Sequence, residues 1–265
     1  MSYDIEVLGE IGPVRQDIYL ERDGFSLPMN IYMPESFGAK RNGTGCAVIA
    51  IHGGSWYSPL KRDEPFSESW MAHNCRYLAS RGFVALEISY RSISVAPLTE
   101  TVKDVLEALC YLENNLSSEL GIDKTVVIGD SAGGHLALTT ALLAEKSKTL
   151  SGAVACNPIT DCVNTQWTAG LETDRERKSV SPIHLARRLP FPIAIIHGDA
   201  DTTVDYNDSV KFCHVMKQLG CDVALLTLPG ASHAFILYNY TTPKEKVDEY
   251  NSLLCDVITD MAKAK

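Results

Sequence analysis

The sequence predicts one α/β domain, a mostly parallel central sheet with helices on both faces and an antiparallel hairpin at its start. Three observations predict it. Short continuous apolar runs alternate with helix-patterned stretches along most of the chain, the pattern of a parallel sheet covered on both faces. The first segment instead alternates residue by residue on either side of Asp23-Gly24, which is a hairpin signal. With 265 residues, 45 % of them apolar, the chain can bury one sizeable core.

Each element follows in chain order. The hairpin is "DIYLERDGFSLPMNIYMP", residues 17–34. "CAVIAIH" (46–52) is the first parallel strand. A helix is expected over 67–80, ended by Gly82, and "FVALEISY" (83–90) is the next strand. A helix over 98–115 leads to the strand "TVVIG" (125–129), and a helix over 132–146 to the strand "GAVACN" (152–157). "PIAIIHG" (192–198), a helix over 205–219 with Asp205 as its cap and Gly220 at its end, "DVALLTLP" (222–229) and a helix over 243–264 complete the alternation. Residues 159–190 break it, with many charges and weak periodicity. Two readings are open for them: a small lid over the sheet edge, or a solvated loop with one short helix. No repeat and no low-complexity segment divides the chain, so 1–265 reads as one domain.

Charge and cysteine usage narrow the function. Only 22 % of residues are charged, and the net charge is −9 without any Lys/Arg cluster, so neither nucleic acid nor an anionic membrane is an expected partner. No apolar stretch approaches the roughly 20 residues of a membrane helix. "MSYDIEVLGEIG" lacks the basic-then-apolar order of a signal peptide, and the expected location is the cytoplasm. Eight cysteines lie scattered, none in a C-x-x-C pair, so reduced and mostly buried thiols are expected and a zinc site is not.

Ligand sites of open α/β sheets lie beyond the carboxyl ends of the strands. Four polar groups stand there: His52-Gly53-Gly54-Ser55-Trp56, Asp130-Ser131-Ala132-Gly133, Asp199-Ala200-Asp201 and Ala231-Ser232-His233. They supply Ser, Asp and His in the chain order of one kind of nucleophilic hydrolase. A serine hydroxyl needs a neighbouring base, His233 is one that titrates near neutrality, and a carboxylate must orient the imidazole. Both Asp199 and Asp201 are available for that. Ser131 alone also fits a helix cap. The Ala132 N–H, next to the nucleophile, and the N–H groups of Gly54 and Ser55 are candidate oxyanion donors. Trp56, Tyr57 and Trp167 are either pocket walls or ordinary buried aromatics.

"HGGSW", "GDSAGGH", "HGDAD" and "SHAF" resemble the α/β-hydrolase superfamily, and more narrowly the carboxylesterases related to hormone-sensitive lipase and the small bacterial acetyl and feruloyl esterases. The resemblance runs from about Asn30 to the C-terminus, nearly the whole chain. It implies an α/β-hydrolase fold with Ser131 as nucleophile, His233 as base and, through the spacing H-G-x-x-D, Asp201 as the acid. Asp199 is then a turn residue. His52 and Gly53 support the oxyanion loop, and His135 is a packing residue. Ser55 stands where the family often has a third glycine, and its N–H can still donate. "SYRSISVAPLTE" matches the lipase-related segment loosely, which favours the acetylesterase-like branch. The implied activity is hydrolysis of a small, short-chain ester through an acyl-enzyme, with no cofactor and no metal. Arylformamidases and peptidases share the frame. A rival from another class, an inactive binding module, commonly lacks a triad member, and all three are present here.

Overall fold

A computed structural model describes residues 15–34, 45–58, 71–237 and 242–263. Its strands are β1 (Arg15–Arg22), β2 (Phe25–Tyr32), β3 (Cys46–Ile51), β4 (Val84–Ile88), β5 (Lys124–Asp130), β6 (Leu150–Cys156), β7 (Ile193–Gly198) and β8 (Val223–Leu228). They form one sheet in the order β1-β2-β4-β3-β5-β6-β7-β8. β1 and β2 pair antiparallel across Asp23-Gly24, whose φ angles of 52° and 77° are what a two-residue hairpin turn demands. β2 pairs antiparallel with β4, and every later pairing is parallel. This is the α/β-hydrolase arrangement.

The helices are α1 (Ala72–Ser80), α2 (Leu98–Tyr111), α3 (Ser117–Leu120), α4 (Ala132–Leu143), α5 (Asp174–Val180), α6 (Pro182–Leu185), α7 (Tyr206–Gln218) and α8 (Lys244–Lys263). Residues 67–70, expected to open the first helix, lie outside the described residues. The single helix expected over 98–115 is instead α2, a π-helical turn over Leu112–Leu116, and α3, which stops at Gly121 with φ 62°. α2 buries Leu98, Val102, Val105 and Leu109 along one stripe. α4 differs, because every residue from Ala132 to Leu142 is buried. A helix enclosed on all sides can carry a catalytic side chain on its first turn with little freedom to tilt.

The sheet has two covered faces. Ala47, Ile49 and Ile51 of β3 point into the core shared with α2 and α4, while Cys46, Val48 and Ala50 point into the core shared with α1 and α8. Residues 159–190 are no solvated loop with one helix. They hold α5, opened by a capping box between Thr173 and Glu176, and then α6. Ile159, Cys162, Leu171, Val180 and Leu189 are buried in the same core as α4. These anchors are spaced too irregularly to show a period, which is why the sequence reads as loop. Among the described residues no helix is long and apolar enough to cross a membrane. Seven of the eight free thiols are buried or partly buried, Cys110 being exposed.

Candidate active site

The strand order reverses between β3 and β5, which lie side by side. Their carboxyl ends are level, with Ile51 opposite Gly129, Asp130 opposite Cys156 on β6, and Gly198 opposite Leu228 on β8. The groups that follow these strands therefore meet at the switch point.

Ser131 sits at φ 56°, ψ −118°, between β5 and α4. A side chain there is strained, and the neighbouring glycines make the turn possible. A Cβ on Gly129 would stand 2.2 Å from the Gly133 carbonyl oxygen, and one on Gly133 would stand 2.0 Å from that of Ile51. Ser131 occupies the cap position of α4 yet makes no side-chain capping bond. Its Oγ instead lies 2.9 Å from His233 Nε2. The hydroxyl thus faces an imidazole and not its own helix.

On the other side of the imidazole, His233 Nδ1–H donates to Asp201 Oδ2 over 2.7 Å. Asp201 Oδ1 accepts the N–H groups of Thr203 (2.7 Å) and Val204 (3.0 Å). Oδ2 also accepts from His197 Nε2 over 3.2 Å. Asp199, the competing carboxylate, turns away and accepts the Gly230 N–H over 2.6 Å. Asp205 caps α7 by accepting the Asn207 N–H over 2.9 Å.

Burial opposes the charge of Asp201, but the bonds from His197, His233 and Val204 prevail and hold its pKa well below the usual carboxylate range. Burial also disfavours the His233 imidazolium. The hydrogen bond to Asp201 and the charge of Asp130 outweigh that and raise its pKa. This is the setting of a general base whose cation is stabilised as it forms.

The loop after β3 carries three consecutive left-handed residues, Gly54, Ser55 and Trp56, at φ 91°, 54° and 64°. Gly53 packs on the elbow so closely that a Cβ would meet the Asp130 carbonyl oxygen at 2.8 Å. No hydrogen-bond acceptor holds the N–H groups of Gly54, Ser55 or Ala132 among the described residues. His52 lies at the start of this loop. It donates from Nδ1 to its neighbour's Gly53 carbonyl over 2.8 Å, and its ring stacks on Tyr90 at 4.3 Å. Burial lowers its pKa to about 4, so it stays neutral. Trp56 is 1 % exposed and faces inward, Trp167 is partly buried, and Tyr57 is 57 % exposed at the surface. Trp56 is therefore a buried aromatic that anchors the loop. Among the described residues no group of three His, Cys, Asp or Glu side chains could hold a metal.

Three contributions escape sequence reasoning. His197 is buried, with Nδ1 2.8 Å from Ser209 Oγ, so its Nε2–H is left to Asp201. The signal for it is a polar residue at the buried end of an apolar strand. Arg91 clasps Asp104 through Nε (2.8 Å) and Nη2 (2.7 Å), fixing the segment that presents Tyr90 to His52. Asp130 is buried beside Ser131, and burial pushes its pKa up to about 6. His135, expected to pack, makes two hydrogen bonds as well.

Comparison with known proteins agrees with the fold. The BD-FAE family matches residues 29–166. An arylesterase of Saccharolobus solfataricus is 29 % identical over 140 residues, 52 % of this chain and 42 % of its own length. A probable isoprenylcysteine alpha-carbonyl methylesterase of Oryza sativa is 24 % identical over 218 residues, 70 % of this chain and 51 % of its own. The chain thus spans about half the length of these curated relatives. Among solved structures, a thermophilic esterase of Thermogutta terrifontis superposes with a TM-score of 0.77 at 27 % identity, covering 94 % of this chain and 92 % of that one. Its butyrate-bound form gives a TM-score of 0.77 at 26 % identity, covering 96 % of each.

Proposed function

The chain belongs to the BD-FAE family, and from that premise we propose that it is a serine carboxylesterase acting on small, short-chain esters. The observation that carries this is the unbroken line Ser131–His233–Asp201, with hydrogen bonds of 2.9 and 2.7 Å. His233 Nε2 takes the Ser131 proton as Oγ attacks the acyl carbon. The N–H groups of Gly54, Ser55 and Ala132 receive the oxyanion. The tetrahedral intermediate collapses, the C–O bond to the alcohol breaks, and the alcohol leaves with the proton returned by His233. Water, deprotonated by the same imidazole, then attacks the acyl-enzyme and releases the acid. Asp201 stays ionised throughout and keeps the imidazole turned toward the serine.

One feature favours a short acyl group: the segment above α4 offers only two short helices as cover. Butyrate and propionate occupy the Thermogutta terrifontis esterase. A cytoplasmic setting suits eight free thiols. The test is a fluorophosphonate probe followed by peptide mass spectrometry, with label expected on Ser131. A panel of p-nitrophenyl acetate to palmitate, acetylated sugars, feruloyl esters and N-formylkynurenine then assigns the leaving group. Specificity constants should peak at butyryl or shorter. An unlabelled protein, or a maximum at octanoyl or longer, would refute the corresponding part.

A further inference from the structure

His135 has no task in the chemistry above. His135 lies one helical turn beyond Ser131 and is fully buried. Both of its ring nitrogens are engaged. Trp56 Nε1–H donates to Nδ1 over 3.0 Å, and Nε2–H donates to the Val180 carbonyl over 2.8 Å. An indole nitrogen only donates and a carbonyl only accepts, so the two bonds select one neutral tautomer. Burial keeps the ring in that state by lowering its pKa to about 4.

Each bond ends on something that matters. Trp56 closes the run of three left-handed residues that carries Gly54 and Ser55. Such a run persists only where its surroundings hold it. Trp56 is the buried member, edge-on to His135 at 5.2 Å and to Trp167 at 6.4 Å. Val180 is the last residue of α5, next to Ser181, whose Oγ accepts the Cys162 N–H (2.8 Å) and donates to the Arg177 carbonyl (2.7 Å). Thr139 Oγ1 lies 3.4 Å from the same Val180 carbonyl. The segment is therefore pinned at the point His135 reaches.

We propose that His135 is a positioning residue that braces the oxyanion loop, its bond to Trp56 setting where the N–H groups of Gly54 and Ser55 stand and its bond to the Val180 carbonyl selecting the tautomer that accepts. This role presupposes the ester hydrolysis proposed above. The bond touches no substrate. Loosening it displaces donors that matter most when the oxyanion forms, so kcat falls while KM holds.

Three substitutions separate this from simple packing. In His135→Asn the amide oxygen stands near the Nδ1 position and still accepts from Trp56, but the side chain does not reach Val180. In His135→Gln the longer amide reaches Val180 and leaves the indole N–H unmet. Trp56→Phe removes the donor and keeps a ring. With p-nitrophenyl acetate, Trp56→Phe and His135→Gln should lower kcat by about 100-fold, the scale of a small misplacement of catalytic groups. KM should stay within about twofold, because no ground-state contact is lost. His135→Asn should recover most of kcat, and the Trp56→Phe/His135→Gln double variant should be no slower than the slower single. The rate of fluorophosphonate labelling at Ser131, counted per labelled molecule, reads the same step on folded protein alone. Equal losses in His135→Asn and His135→Gln, or unchanged kcat in Trp56→Phe, would overturn the role. A wild type inert to esters and to the probe would overturn the hydrolase assignment and this role with it. An active wild type with insensitive variants overturns this role alone.

Discussion

The turn after β5 and the loop after β7 bring side chains to one site by opposite means. At the turn, backbone crowding does the placing. Ser131 is left-handed at φ 56°, and added Cβ atoms at Gly129 and Gly133 would lie 2.2 and 2.0 Å from carbonyl oxygens. No side-chain bond ties the serine to its helix. At the loop, no residue from Asp199 to Asp205 has a positive φ, and hydrogen bonds do the placing instead. The Asp201 carboxylate accepts from His233, His197, Thr203 and Val204. The first region is defined by side chains that are missing, the second by donors that are present. The turn should thus tolerate loss of its hydroxyl without structural cost, whereas the loop should feel the loss of any charge.

The largest expected effect is at the turn. Ser131→Ala removes the proposed nucleophile and should lower kcat by about 10⁶-fold, the scale seen when such a group is deleted. Because its Oγ makes no capping bond, the melting temperature should hardly change. Turnover near wild type would end the assignment. A marked loss of stability would show that the hydroxyl also serves the fold.

At the loop, Asp201→Asn should lower kcat by about 10⁴-fold, since the imidazole loses its orienting anion. Asp199→Asn should cost about tenfold at most, because Asp199 holds only the Gly230 N–H and faces away from the imidazole. Kinetics of the pair on one ester decides it, and the reverse ranking would reassign the acid.

The same contrast explains what was legible in the sequence. Crowded backbone leaves glycines, and glycines at 129, 133 and 134 after an apolar run are visible in one dimension. The alternating strands and the polar residues ending them were likewise visible, because period and position are local properties. What stayed hidden depends on distant partners. His197 looks like one more strand residue until Ser209 and Asp201 are seen beside it. Arg91 and Asp104 are thirteen residues apart and meet only through the turn between β4 and α2. The apolar underside of 159–190 has no period, because it fits α4 at irregular points.

A backbone test of the turn is smaller in effect. Gly133→Ala forces a methyl toward the Ile51 carbonyl oxygen at 2.0 Å and should destabilise the fold by about 4 kcal/mol or more. Gly82→Ala is the control. Its φ of 95° strains any side chain, but nothing lies within 4 Å of the added atom. Strain alone should cost about 1 to 3 kcal/mol. Urea midpoints of the two variants give the difference. Equal costs would mean that the sheet relaxes around the elbow, and that crowding is not what holds Ser131.

The smallest effect joins the two regions through His233. Burial lowers the pKa of this imidazole, while Asp201 from the loop and Asp130 from the turn raise it, with a net rise above the ordinary 6.5. Only the neutral ring accepts the serine proton. Activity is therefore lost as pH falls through that raised pKa, and the acid limb of kcat/KM should stand above pH 6.5. Asp130 has its own pKa near 6, so it is largely ionised where the limb lies and its charge is felt there. Asp130→Asn removes that charge with little change of shape. The limb should move to lower pH while the plateau rate changes little, since Asp130 lies outside the hydrogen-bond line from Ser131 to Asp201. The direction follows from the sign: an anion nearby favours the imidazolium, and its removal favours the neutral base. A pH profile of kcat/KM on p-nitrophenyl acetate for wild type and Asp130→Asn measures the shift. A limb that stays in place would show that His233 takes its bias from the loop after β7 alone, and that the turn after β5 contributes geometry without charge.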